Sequence, residues 1–213
     1  QNHITNTLSK KSYSVNKELL TQIKSKTILY FMKLADKFTL ARLLLAPVIF
    51  LILFIPIWTG KFAFLSVIII VPLFVFAEFT DFLDGYFAHK NNEVSDLGKL
   101  FDPFADVMLH MSMFVYCLVR GYMPTICFLL IFYREFCQIF LRMLAVKKGV
   151  SVGARKGGKF KTVLYVVTVG YTLILDLLPR LNIFIADNFP VLRTISTIFF
   201  ILSTIAALAS FLD

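Results

Sequence analysis

The sequence predicts an all-α integral membrane protein: six transmembrane helices preceded by an N-terminal interfacial amphipathic helix. Three observations carry that expectation. The 213 residues are 58% hydrophobic and only 16% charged, whereas roughly a quarter of a soluble domain is charged. Six apolar stretches have the length needed to cross about 30 Å of hydrocarbon. Lys and Arg are distributed unevenly among the segments that join those stretches.

Residues 1–27 are polar, rich in Ser, Thr, Asn and Lys, and are expected to form a surface tail. From Ile28 to Phe38, Ile28, Leu29, Met32 and Ala35 recur at helical spacing with Lys33, Asp36 and Lys37 between them, the pattern of a short helix lying at the membrane interface. No small-residue cleavage site follows the first long apolar run, so a secretory leader is not expected. Residues 1–37 are therefore read as polar tail and juxtamembrane helix, and 38–213 as one six-helix domain. Its spans are expected at Phe38–Trp58, Phe62–Phe79, Pro103–Val119, Tyr122–Val146, Phe160–Leu178 and Phe189–Leu212. Pro47, Pro56 and Pro72 are expected to kink these helices or mark their ends. Cys117, Cys127 and Cys137 sit singly in apolar segments and read as core thiols.

Taking the six spans together, fifteen Lys and Arg fall in the segments on one side of the membrane, against Lys61, Arg120, Arg180 and Arg193 on the other. Positive charge marks the cytosolic side, so both termini are expected there, in an inner (cytoplasmic) membrane. The net charge of +9 is accounted for by this asymmetry and by anionic headgroups of the bilayer. No soluble basic domain or aromatic-basic motif is present, so nucleic acid is not an expected partner. Asp176 and Asp187 fall on the far side and read as loop charges.

The chain is organised around residues 81–106, at the cytosolic ends of the second and third spans. Asp81 and Asp84 are three apart, and Asp102 and Asp106 four apart, so on helices each pair shares a face. A helical hairpin would bring the two faces together. Converging carboxylates repel unless cations neutralise them, and hard oxygen donors select Mg²⁺ or Mn²⁺. The reading is a divalent metal site, taken as binuclear. Gly85 and Ala88 leave a strip without bulk beside the acids, where a ligand or a neighbouring helix can approach the backbone. His110 continues the row Asp102, Asp106, His110 at four-residue steps and reads as a hydrogen-bonded packing residue rather than a hard-metal ligand. Glu78, one turn before Asp81, either tunes the site or bonds to a neighbouring helix. Arg134 lies inside an apolar segment beside Glu135, where simple snorkelling is a weak account and anion binding a better one.

The run Asp81, Asp84, Gly85, Ala88, Gly98, Asp102, Asp106 closely resembles the signature of the CDP-alcohol phosphatidyltransferases. The stretch "DKFTLARLLLAP" resembles the family's opening motif through Thr39, Arg42 and Pro47, with Asp36 where Asn is usual. The segments "YREFCQIFLRMLAVKKG" and "SVGARKGGKFKT" are similar to the branch that makes phosphatidylglycerophosphate. Two positions depart: His89 stands where Arg is usual, and Val107 where that branch commonly has Lys.

The resemblance implies transfer of a phosphatidyl group from CDP-diacylglycerol to glycerol 3-phosphate or another polar alcohol acceptor, with release of CMP. It implies Asp81, Asp84, Asp102 and Asp106 as ligands of two Mg²⁺ or Mn²⁺, with Asp106 also the general base. Thr39, Gly85, Ala88, His89 and Gly98 would contact the nucleotide. Arg134, Arg142, Lys159 and Lys161 would hold the acceptor's phosphate, and the protein would be a homodimer. Two other classes remain open on the residues alone. A divalent-cation transporter would place its acids near the bilayer midplane, and a prenyl-transferring enzyme would carry two separated Asp-rich motifs.

Arg holds phosphate bidentately at any pH, whereas His does so only when protonated. If His89 contacts the nucleotide, His89→Arg should keep or lower the Michaelis constant for CDP-diacylglycerol and His89→Ala should raise it. Identical constants in all three proteins would remove His89 from the nucleotide site.

Overall fold

The computed structural model describes residues 34–91, 98–148, 156–181 and 188–212; within these, the side chains of 34–38, 67, 81–91, 98–100, 156 and 212 are not described. The described residues form six long helices: α1 (Leu34–Thr59), α2 (Ala63–Asn91), α3 (Gly98–Val119), α4 (Thr125–Lys147), α5 (Lys156–Arg180) and α6 (Phe189–Leu212). Five of them, all but α4, are long and apolar enough to cross a membrane. The exception is 23 residues long but carries Arg134, Glu135 and Arg142 along its length.

The helices are longer than their apolar cores. Beginning at Leu34, α1 makes residues 34–37 of the expected juxtamembrane helix continuous with the first span; the part from Ile28 lies outside the described residues. At 29 residues, α2 continues past its apolar stretch through Asp81, Asp84, Gly85, Ala88 and His89. Because α3 starts at Gly98, Asp102 and Asp106 are helical, and Pro103 sits in its second turn. The helices run through Pro47, Pro56 and Pro72, which therefore do not mark ends.

The bundle is apolar outside. On α1, Leu44, Val48, Leu51, Ile55 and Trp58 are exposed at alternating steps of four and three, a stripe suited to lipid. The opposite stripe, Thr39, Arg42, Ala46, Ile49 and Leu53, is buried and begins with polar residues. This inward stripe packs on α3 and α2; α4 packs on α3 and α6, and α5 on α6, α2 and α3. At the centre the Phe114 ring meets Tyr165 edge-on at 5.0 Å and Phe200 at 5.9 Å. The α5–α6 seam is joined by hydroxyl pairs, Thr168 with Ser203 and Thr172 with Ser196, each at 2.9 Å. Such small polar residues let helices in lipid approach closely and bond across the gap.

Asp176 is not a loop charge. It lies in α5, buried, and is the acceptor at the centre of a cluster at the end of the bundle away from Asp102. Arg120 donates to its Oδ1 from Nε at 2.9 Å and Nη2 at 2.7 Å, and the Tyr122 hydroxyl donates to the same oxygen at 3.0 Å. Its Oδ2 accepts from the Tyr116 hydroxyl and lies 2.6 Å from Arg180 Nη2. Arg180 Nη1 also reaches Ser66 Oγ on α2 at 3.2 Å. Hydropathy alone placed Asp176 at a membrane face; Arg120 from the turn after α3, Arg180 one turn on in α5, Tyr116 and Tyr122 are what answer it inside. The expectation for Asp187 falls outside the described residues.

The α3–α4 connection is short because Gly121 takes a left-handed backbone, φ +73, which L-residues adopt at a cost of about 1–2 kcal/mol. Its carbonyl accepts both Arg193 Nε and Nη2, at 3.0 and 2.8 Å, fastening α6 to the turn.

Removing one member of a buried ion cluster strands the others, at a cost of about 3–5 kcal/mol. Asp176→Ala should therefore markedly lower the melting temperature of the detergent-solubilised protein, and Asp176→Asn should lower it less. An unchanged melting curve for Asp176→Ala would show that the cluster does not hold the bundle.

Candidate active site

The residues singled out along the chain gather toward one end of the bundle. Thr39, near the start of α1, is buried, and its hydroxyl donates to Asp102 Oδ1 on α3. Three residues on, Arg42 lies on the same face of α1 and is also buried. This end of α3 is thereby tied to α1 through one of the acids itself.

One turn deeper, Asp106 Oδ1 lies 3.1 Å from His110 Nδ1, which also approaches the Asp106 carbonyl at 2.9 Å. The other ring nitrogen, Nε2, is 3.6 Å from Glu78 Oε1 on α2. His110 thus lies between α3's own acid and the neighbouring helix. That approach puts Glu78 of α2 level with His110 of α3. Counting outward at about 1.5 Å per residue, Asp81 and Asp84 stand about 4.5 and 9 Å beyond Glu78, and Asp106 and Asp102 about 6 and 12 Å beyond His110. Both pairs of positions lie on the same side of the Glu78–His110 contact and at similar heights.

Beside Asp106, a small pocket is lined by Asp106, Val107, His110, Met111, Glu135, Lys161 and Tyr165. Its far wall is a second cluster. Glu135 Oε1 accepts from Lys161 Nζ at 2.7 Å and from the Tyr165 hydroxyl at 2.9 Å, with Arg134 Nη1 at 2.9 Å. Arg134 further donates from Nε to the Ala207 carbonyl at 3.0 Å and from Nη2 to Ser210 Oγ at 2.8 Å. This arginine therefore anchors α4 to α6 as well as standing near the pocket.

Arg134 and Lys161 are brought together around Glu135. Lys159, two residues before Lys161 and so on another side of α5, is exposed. Arg142 is half-buried two turns beyond Arg134. Asp81, Asp84, Gly85, Ala88, His89 and Gly98 keep their helix positions, but their side chains lie outside the described residues. Among the described side chains no three of Asp, Glu, His and Cys converge as a metal site, and two of the four expected ligands are not among them. The described donors, carboxylates on successive turns of α3, have the hard oxygen chemistry that Mg²⁺ or Mn²⁺ requires.

Glu135 and Tyr165 were not expected as part of the site. Glu135 carried a signal, an acid in an apolar segment next to an arginine; Tyr165 carried none, because a tyrosine in an apolar helix is ordinary. Cys117 and Cys127 are buried free thiols, as expected, whereas Cys137 is a free thiol on the exterior.

Residues 32–209 match the family model described as CDP-alcohol phosphatidyltransferase. The chain belongs to that family. Curated relatives carry the name CDP-diacylglycerol--glycerol-3-phosphate 3-phosphatidyltransferase. One from Treponema pallidum is 42% identical over 141 residues, covering 66% of this chain and 65% of that protein. One from Bacillus subtilis is 33% identical over 150 residues, 68% of this chain and 78% of that protein. One from Rickettsia typhi is 38% identical over 132 residues, 62% and 70%. The match to the first of these thus spans slightly under two thirds of the relative's length. In this CDP-alcohol phosphatidyltransferase the signature's two acid pairs lie on the successive helices α2 and α3.

Glu135→Ala would leave Lys161 and Arg134 buried without their carboxylate, a loss of about 3 kcal/mol or more. Lys159→Ala, on the exposed side of α5, should stay within about 0.5 kcal/mol of the parent. Thermal unfolding in detergent checks both, and equal effects would contradict the division between the two faces of α5.

Proposed function

We propose that this chain transfers the phosphatidyl group of CDP-diacylglycerol to glycerol 3-phosphate, forming phosphatidylglycerophosphate and releasing CMP. The observation that supports this reading is the Glu78–His110 approach at 3.6 Å, which sets the residue one turn before Asp81 opposite the residue one turn after Asp106. The names of the relatives support glycerol 3-phosphate as acceptor.

In this reaction the primary hydroxyl of glycerol 3-phosphate forms a new bond to the phosphatidyl phosphorus, and the bond from that phosphorus to the CMP oxygen breaks. Asp106 accepts the hydroxyl proton, and its usefulness as a base comes from positioning rather than basicity. Asp81, Asp84, Asp102 and Asp106 would hold two divalent cations, which when bound neutralise the pyrophosphate and the departing CMP. Thr39 orients Asp102 by its hydrogen bond. Gly85, Ala88, His89 and Gly98 border the nucleotide. Lys161, with Arg134, Arg142 and Lys159, supplies the positive field for the acceptor phosphate, and Glu135 holds the buried pair Lys161 and Arg134 in place.

The bundle crosses the membrane six times. At about 1.5 Å per residue the 23 residues of α4 extend about 34 Å, enough to span. Its Arg134 and Glu135 are buried against α5 and α6 rather than facing lipid. Six crossings put both termini and the site on the cytosolic side of the inner membrane, in agreement with the positive charge. Residues 1–37 precede the catalytic bundle, and the protein acts as a homodimer.

CMP release from CDP-diacylglycerol, measured on purified protein against glycerol 3-phosphate, inositol phosphate, serine, choline and phosphatidylglycerol, tests the assignment. Glycerol 3-phosphate should be the preferred acceptor. EDTA should abolish release and Mg²⁺ or Mn²⁺ restore it, and Asp106→Asn should cut turnover by about 10²-fold or more. Full activity in EDTA, or preference for an uncharged acceptor, would overturn the metal reading or the acceptor reading respectively.

A further inference from the structure

We propose that His110 is a positioning residue for Asp106, fixing the direction of its carboxylate through the Nδ1–H group; this rests on the reading of Asp106 as base and metal ligand. Helical geometry puts His110 one turn from Asp106 on the same face. Its Nδ1 sits between two oxygens of that one residue, the carbonyl at 2.9 Å and Oδ1 at 3.1 Å. A single N–H directed at both holds one carboxylate oxygen against the helix and leaves the other to point in a defined direction.

The imidazole itself is locked. It is 2% exposed, with the Tyr165 ring centroid at 5.7 Å and that of Phe114 at 6.2 Å. On its far side, Nε2 faces Glu78 Oε1 at 3.6 Å, and neither atom has a hydrogen bond among the described residues. A ring that served only to fill space would be replaced by Leu or Phe without leaving buried nitrogens to satisfy. Here both nitrogens face acids, one on the same helix and one on α2. The ring therefore fixes Asp106 and gauges its distance from α2, where the other acid pair sits.

The two nitrogens are separable by substitution. Asn places its amide N–H near the position of Nδ1, and Gln places its own near Nε2. In CMP-release assays with the full chain, Mg²⁺, CDP-diacylglycerol and glycerol 3-phosphate, His110→Gln and His110→Leu should lower kcat by about 10- to 100-fold, the scale of a misplaced reacting group. Both Michaelis constants should stay within about twofold, because a residue that acts through Asp106 alone leaves substrate binding unchanged. His110→Asn should restore kcat to within about threefold of the parent. In the Asp106→Asn background, His110→Gln should cost little more, because there is no carboxylate left to aim. If His110→Gln loses its melting transition, Glu78→Gln takes its place: it loosens the ring from the other side and should lower kcat at unchanged Michaelis constants.

Asn and Gln variants of equal turnover, or a His110→Gln loss undiminished in the Asp106→Asn background, would overturn the positioning role. Losses that follow melting temperature across the series would do the same, by reducing His110 to packing. Should Asp106→Asn itself leave turnover intact, the reading of Asp106 fails, and that result is distinct from a flat His110 series with an inactive Asp106→Asn.

Discussion

A charge inside a bundle surrounded by hydrocarbon must be answered by another group at hydrogen-bond distance, and this constraint arranges the fold. Burial of an unpaired ion costs several kcal/mol, so each of these acids collects donors, most of them from other segments. Asp176 takes two arginines and two tyrosines. Glu135 takes a lysine, a tyrosine and an arginine. Asp106 takes His110, and Asp102 takes Thr39. Where the partners come from different helices, as at Asp176, Glu135 and Asp102, the acid also joins helices that lipid-facing Leu, Ile and Phe side chains have no reason to join.

The two ends use the same chemistry differently. At the Asp176 end, the acid is enclosed by its own cations in a knot of α3, α5 and the turn before α4. Toward the other end, Glu135 absorbs the charge of Lys161 and Arg134, while Asp102 and Asp106 are held by a hydroxyl and an imidazole. A hydroxyl donor such as Thr39 orients a carboxylate without adding a charge of its own.

Much of this was legible in the sequence. Of the six spans expected from apolar runs, five are helices long and apolar enough to cross, and the three- and four-residue spacings of the aspartates survive as positions on α2 and α3. The family followed from the same positions. What was not legible is which charges are spent inside the protein. Asp176 reads as a loop charge until Arg120 and Tyr122, some 55 residues earlier, are known to reach it. Lys159 and Lys161 look equivalent in a basic run, yet helical phase turns one outward and the other onto Glu135. Arg134 was visible as an anomaly, but its bonds to Ala207 and Ser210 depend on where α6 ends. Local pattern fixes which face a residue occupies; only tertiary packing fixes what that face meets.

The cluster at Asp176 also bears on how the bundle sits in a bilayer. Arg120 and Arg180 are engaged by Asp176, and Arg193 by the Gly121 carbonyl, so these guanidiniums have little left to offer phospholipid headgroups. At the opposite end, Lys147, Lys148 and Lys159 are exposed and free to grip anionic lipid. Among the described residues only Lys61 is an exposed lysine at the Asp176 end, so anionic headgroups would hold the bundle chiefly from the Lys147 side, and a change in bilayer thickness would be taken up mostly at the other.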